Sequence, residues 1–197
     1  MNDDFIRRGF HQRVLQQRQS FKNALILDEL GLCHGKWRAD IAVINGSLIG
    51  YEIKSDKDSL DRLGEQVKAY NAVFDRSTII VGSRYCKTVL SEVPDWWGII
   101  VCIQKKRGGV QFDIQRRPKP NPSVDPLSVA KLLWRTEVIE ILIGLGEPAS
   151  LTRQSRSILY ERLAGTIGLS ELKRRVRENL RQRKNWRRPA QLSPDDD

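Results

Sequence analysis

The chain is 197 residues long, and its 40% hydrophobic and 29% charged residues are proportions typical of a globular protein. They exclude a fibrous chain and a wholly disordered one, and no run reaches the roughly 18 consecutive apolar residues of a membrane-spanning helix. Because the first residues lack the apolar segment of a secretory signal, we expect a cytoplasmic protein without membrane contact. The three cysteines are widely spaced, which argues against disulfides and against a zinc or iron–sulfur site.

The formal charge of +10 is concentrated near the C-terminus. Residues 151–189 carry 12 basic and 3 acidic side chains, whereas the last residues are three aspartates. A patch of one charge sign raises the local affinity for a polyanion, which in the cytoplasm is most often nucleic acid. We therefore expect DNA as a partner, and a homodimer or a protein partner stays open.

The first 75 residues show helical and strand patterns in turn. Residues 3–31 combine charged side chains with spaced apolar ones, which predicts one or two helices. Alternating patterns predict two strands, 38–44 and 48–54, joined by a hairpin turn at Asn45-Gly46. Apolar residues at three- and four-residue steps then predict a helix over 59–74.

Four further elements complete an α/β pattern. In chain order they are a strand, a short helix and two more strands, at 78–81, 87–92, 98–103 and 110–114. The order of helices and strands predicts an α/β core with a mixed central sheet flanked by helices.

Four prolines between residues 116 and 126 predict an extended linker. Beyond it, helical patterns cover 127–143, 155–166 and 169–186. The predicted organisation is a core at 1–115, a proline-rich linker at 116–126, a helical basic region that binds nucleic acid at 127–189, and a disordered acidic tail at 190–197.

The second predicted strand carries a candidate site. Residues two apart share one face of a strand, so Glu52 and Lys54 point the same way beside Gly50. A hairpin pairing could bring Asp40, on the preceding strand, alongside that face. Paired carboxylates are the usual ligands of Mg²⁺, and a neighbouring lysine can offset charge that builds up on a phosphate.

The following helix adds two polar side chains. Gln66 and Tyr70 are four residues apart and share one helix face with apolar residues. A glutamine on an inward face needs hydrogen-bond partners, because an unpaired amide is costly to bury. We therefore expect Gln66 to contact polar groups of the site.

These motifs, in this order, resemble the PD-(D/E)xK nuclease superfamily, particularly its RecB-like branch with the QxxxY motif. The resemblance runs from Asp28 to Val81, and Ala39 stands where the motif has proline. It implies a restriction-endonuclease-like core followed by the small helical C-terminal region. It also implies a magnesium-dependent phosphodiesterase, an endonuclease acting on DNA in repair, mobile-element or defence processes.

The resemblance further implies two overlapping sets of site residues. The catalytic set is Asp40, Glu52, Lys54, Gln66 and Tyr70. The set that binds Mg²⁺ or Mn²⁺ is Asp40, Glu52, the backbone carbonyl of Ile53, and an acid of the first helix, Glu29 or alternatively Asp28.

The last predicted helix is the candidate DNA contact, through phosphates rather than bases. Its basic residues are Arg174, Arg175, Arg177, Arg181, Arg183, Lys184, Arg187 and Arg188. A merely solvated helix face is the alternative. At the level of function, the alternatives are a catalytically inactive DNA-binding or scaffold protein, a structure-specific resolvase and an RNase.

Overall fold

A computed structural model describes residues 1–16, 23–105 and 108–183. Within them, six strands form one sheet in the order β1 to β6. The central pairs β3–β4 and β4–β5 are parallel, and the outer pairs are antiparallel. The predicted α/β class with a mixed sheet is confirmed, while a restriction-endonuclease-like core stays a prediction. The strands are β1 (Leu25–Leu32), β2 (Trp37–Ile44), β3 (Leu48–Lys54), β4 (Arg76–Gly82), β5 (Gly98–Gln104) and β6 (Val110–Arg116).

Helices cover both faces of this sheet. One face packs against the first helix, which continues into a short π-helical segment at His11–Leu15, and the other face packs against the remaining longer helices. No described helix has the length and apolar character needed to cross a membrane. The helices are α1 (Asp3–Phe10), α2 (Leu63–Val73), α3 (Val89–Glu92), α4 (Pro126–Ala130), α5 (Arg135–Gly144), α6 (Arg156–Thr166) and α7 (Leu169–Gln182).

Strand alternation separates the two cores. On β4, Ile79 and Val81 enter the core beneath α2, whereas Ile80 enters the core beneath α1. All three side chains are fully buried. This explains why residues 78–81 are a run of β-branched residues rather than an alternating pattern, since both faces of the strand are covered.

The helical prediction for residues 3–31 is wrong at its C-terminal end, where β1 lies. The β1–β2 ladder pairs Asp28 with Ile41 and Leu30 with Ala39, and it skips Glu29 and Asp40. Glu29 has a φ of 58°, outside the range of regular strands. The interruption shifts the alternation by one residue, so that apolar side chains three apart share a face as they would on a helix. The residues concerned are Leu27 and Leu30 on β1 and Ala39 and Ala42 on β2.

The other predicted elements occur close to their predicted bounds. The hairpin of β2 and β3 is confirmed, and α2 is shorter at its N-terminus than predicted. The helix predicted over 127–143 is divided into α4 and α5. Trp134 between them is extended, and its backbone N–H donates to the Glu137 carboxylate at 2.7 Å, which begins α5.

The proline-containing segment packs against the sheet and α2. The Asn121 side chain donates to the backbone carbonyls of Asn71 and Phe74, and the Asp125 N–H donates to Ala72. Core residues of α4, α6 and α7 lie in the same apolar cluster as those of α2. The predicted domain division stays a prediction, and the predicted tail at 190–197 lies outside the described residues.

Gly50 tests the packing of α2 on β3. A Cβ at this position would lie 2.6 to 2.9 Å from the ring of Phe74, which is fully buried. Gly50→Ala should therefore lower the free energy of unfolding by about 1–3 kcal/mol, measured by urea denaturation. Gly64→Ala is the control, because nothing lies within 4 Å of its added Cβ. Equal effects of the two substitutions would contradict this packing.

Candidate functional site

An open cleft of about 340 Å³ lies beside the interruption in β1–β2 pairing. Its floor includes Asp40, Glu52 and Lys54 from the β2–β3 hairpin and Gln66 from α2. The interruption matters because it allows the Asp40 side chain to turn from the regular ladder toward the Ile53 backbone. The structure therefore brings together the residues that the sequence placed in one site.

Glu52 is buried at the floor, with 1% of its surface exposed. Its carboxylate accepts from Gln66 Nε2 at 2.5 Å and from the Tyr70 hydroxyl at 2.7 Å, and it lies 3.0 Å from Lys54 Nζ. Burial raises the pKa of Glu52, although Lys54 and Tyr70 oppose the shift. Lys54, Gln66 and Tyr70 thus contact Glu52 directly.

Asp40 lies next to Glu52 and is held by two donors. The Ile53 N–H donates to its Oδ2 at 2.7 Å, and an Nη atom of Arg7 lies 3.1 Å from its Oδ1. Burial and the charge of Glu52 raise the pKa of Asp40 to about 7. A perturbed carboxyl pair in a cleft is a common mark of a functional site.

Tyr70 joins the two carboxylate positions from α2. Its hydroxyl donates to Glu52 and accepts the Asp40 N–H at 3.2 Å. Burial and the nearby carboxylates raise the Tyr70 pKa well above its usual range, so the hydroxyl keeps its proton. Gln66 therefore contacts Glu52, and Tyr70 contacts both Glu52 and the Asp40 backbone.

Sequence reasoning missed Arg7. Its guanidinium extends from α1 into the cleft's acidic wall, 2.9 Å from Glu29, 3.1 Å from Asp40 and 3.2 Å from Asp3. It also donates to the Asp40 carbonyl at 2.5 Å. The Asp3–Arg7 spacing is a local signal of a helical ion pair, but nothing in the sequence indicates the contacts with β1 and β2.

Glu29 does not occupy the helix on which its predicted role depended. It lies on β1, with its carboxylate between Arg7 and Arg38, while Asp28 contacts His11 Nε2 at 2.9 Å. In the described part of the chain, no three His, Cys, Asp or Glu side chains form a group that could hold a metal ion. Asp40 and Glu52 are an adjacent pair of carboxylates in the cleft.

The predicted DNA-contacting arginines of α7 are mostly engaged within the protein. Arg174 contacts Glu171 and Glu178, and Arg175 contacts Glu171. Such pairing reduces the net positive charge of the face they occupy. Arg177 lies on the same helix, partly buried.

Two more arginines at the end of α7 contact β2 and α5. Arg181 donates to the Ile44 carbonyl at 2.8 Å. Arg183 pairs with Glu137 at 2.6 Å, and its guanidinium stacks on the Trp134 ring, 4.2 Å from the centroid. Lys184, Arg187 and Arg188 lie outside the described residues. DNA contact by this helix stays a prediction.

The raised pKa of Asp40 predicts a pH dependence of stability. A carboxyl with a raised pKa in the fold favours folding at low pH, and this contribution is lost as pH rises through the folded pKa. Between the ordinary value of 3.8 and about 7, the free energy of unfolding should fall by up to about 4 kcal/mol. Asp40→Asn should flatten this decline in urea denaturation series. Asp4→Asn, at an exposed position paired with Arg8, should keep it, and an unchanged decline in Asp40→Asn would contradict the assignment.

Comparison with known proteins corrects the sequence-based assignment. A family model described as Bacteriophage P4 protein cII matches residues 6–191. Protein cII of Enterobacteria phage P4 is 26% identical over 169 residues, which cover 86% of this chain and 63% of that protein. No solved structure matches.

The resemblance to PD-(D/E)xK nucleases is therefore wrong, and so is the nuclease function drawn from it, including the resolvase and RNase alternatives. DNA binding without hydrolysis stays a prediction. The family match covers almost the whole chain, whereas the nuclease resemblance depended on a few motif residues. The motif residues do converge, but their convergence does not identify a family. This chain belongs to the Bacteriophage P4 protein cII family.

Proposed function

We propose that this chain binds DNA, and that the cleft over Asp40 and Glu52 receives its phosphate backbone. The observation that carries the proposal is a group of three exposed cations, Lys36, Arg38 and Arg62, at the rim of a cleft that has two carboxylates at its floor, the buried Glu52 and the partly buried Asp40. We call these three residues the rim cations. The formal charge of +10 agrees with a polyanionic ligand.

The rim cations are better placed for phosphate than those of α7. Lys36 and Arg62 are exposed and appear in no ion pair among the described residues, and Arg38 approaches Glu29 only at 3.4 Å with 45% of its side chain exposed. Such cations remain available for phosphate oxygens. Trp37, which lies between Lys36 and Arg38 in the sequence, also lines the cleft and packs against the core.

We further propose that the floor of the cleft holds Mg²⁺ or Mn²⁺. Mg²⁺ is commonly bound through one or two carboxylates and several waters, so Asp40 and Glu52 fit it without a third acid. The charge of Glu52 raises the pKa of Asp40, so a cation between the two carboxylates would be favourable. Asp40, Glu52 and the Ile53 carbonyl would hold it, and it would attract a phosphate oxygen to a floor that is otherwise acidic.

Charge removal at the rim tests DNA binding. The triple variant Lys36→Gln, Arg38→Gln, Arg62→Gln should bind a labelled duplex at least about ten-fold more weakly, and its salt dependence should flatten by nearly one unit per lost phosphate contact. Fluorescence anisotropy at several salt concentrations measures both. Arg8→Gln, Arg153→Gln, Arg162→Gln is the control, since it removes the same charge from exposed positions outside the cleft lining.

A second triple variant distinguishes the two candidate surfaces. Arg174→Gln, Arg177→Gln, Arg181→Gln removes three charges from α7. If this variant loses affinity and the rim variant does not, DNA binds α7 and the cleft proposal is wrong. If neither loses affinity beyond the control, the binding is nonspecific attraction to the whole charge of the protein.

The cation has its own test. Millimolar Mg²⁺ should strengthen duplex binding by the unsubstituted protein, relative to NaCl of equal ionic strength, because a cation on the floor attracts phosphate. Asp40→Asn should remove that gain, and Asp4→Asn should retain it. A loss of affinity with Mg²⁺ equal to the loss with NaCl would remove the cation from the proposal and leave the rim cations in it.

A further inference from the structure

We infer that Arg7 regulates cation binding in the cleft. Its guanidinium and a divalent cation would compete for the Asp40 carboxylate, so that only one of them binds it at a time. This inference rests on the proposed function, since it concerns regulation of the same site. The observation behind it is that one side chain of α1 contacts acids of three different elements, Asp3, Glu29 and Asp40.

The position of Arg7 is that of a counter-ion. Its guanidinium lies within 3.2 Å of all three carboxylates and 3.8 Å from a fourth, Asp28, with 15% of its side chain exposed. A guanidinium carries its charge at every pH that proteins tolerate. Arg7 therefore stays charged at every such pH, and a metal ion that approached Asp40 would meet this charge while the side chain is in place.

Arg7 leaves the cluster incompletely satisfied. Asp3 Oδ1 has no hydrogen-bond partner in the described residues, and 41% of the Asp3 side chain is exposed at the cleft. Arg7 thus leaves one carboxylate oxygen of the cluster unpaired, and a doubly charged ion would have that oxygen to bind.

The side chain, rather than the helix, is the moving part. Ile6 and Phe10 hold α1 on the sheet and are fully buried, and the Phe10 ring lies 4.9 Å from that of Tyr51. The Arg7 side chain is long, and 15% of it is exposed. It can therefore swing into solvent while α1 stays in place.

Arg7→Met removes the charge and keeps an apolar stem of similar length. We expect Mn²⁺ to bind this variant at least ten-fold more tightly than the unsubstituted protein, measured by electron paramagnetic resonance of free Mn²⁺. Without metal, its melting temperature should fall because the acids repel each other, and Mn²⁺ should restore it. Arg8→Met is the matched control, since Arg8 is the adjacent residue and its side chain is 70% exposed and paired only with Asp4.

Two further variants keep the test decisive. Arg7→Lys retains the charge but not the shape of the guanidinium, and it should keep an Mn²⁺ affinity near that of the unsubstituted protein. The increase in affinity expected for Arg7→Met would then be due to the lost charge and not to the lost shape. Arg7→Gln replaces the methionine variant if that variant does not fold.

Equal Mn²⁺ affinity in the neutral Arg7 variants and the unsubstituted protein overturns the inference, as does a lowered melting temperature that Mn²⁺ does not raise. Failure of the DNA proposal is separate, because it is read from duplex binding by the rim variant in the absence of metal. Mn²⁺ binding to none of the variants overturns the inference while leaving DNA binding at the rim intact.

Discussion

Two neighbouring carboxylates, the buried Glu52 and the partly buried Asp40, impose the constraint on which the rest of the site depends. Their oxygens are largely withdrawn from water, so protein groups must compensate them. The compensation comes from separate parts of the chain and explains why α1, α2 and the β2–β3 hairpin meet at one point. The donors are the Ile53 N–H, Lys54, Gln66, Tyr70 and Arg7. The cleft is thus an electrostatic arrangement that the fold maintains at a cost in stability near neutral pH.

The parts of this arrangement that local patterns determine could be predicted. Strand alternation places Glu52 and Lys54 together, and a helical spacing places Gln66 with Tyr70. The parts that depend on distant contacts could not. β1 has helical apolar spacing because its pairing with β2 is interrupted at Glu29, and Arg7 contacts Asp40, 33 residues away, with no local signal.

Predictions from charge alone are limited in the same way, as the basic C-terminal region shows. Its sequence predicted a polyanion-binding surface, yet Arg183 pairs with Glu137, 46 residues earlier, and Arg181 donates to a carbonyl of β2. Charge counts do not reveal which cations are used internally. Likewise, a converging set of motif residues did not identify the family, because short motifs describe a site and the match over residues 6–191 describes the chain.

The central claim is that DNA lies in the cleft, and hydrogen–deuterium exchange with bound duplex in the presence of Mg²⁺ tests it most directly. The account predicts slower exchange in peptides that cover residues 33–40 and 55–66, which contain the rim cations, and little change over α7. Protection confined to residues 169–183, with the cleft peptides unchanged, would contradict it.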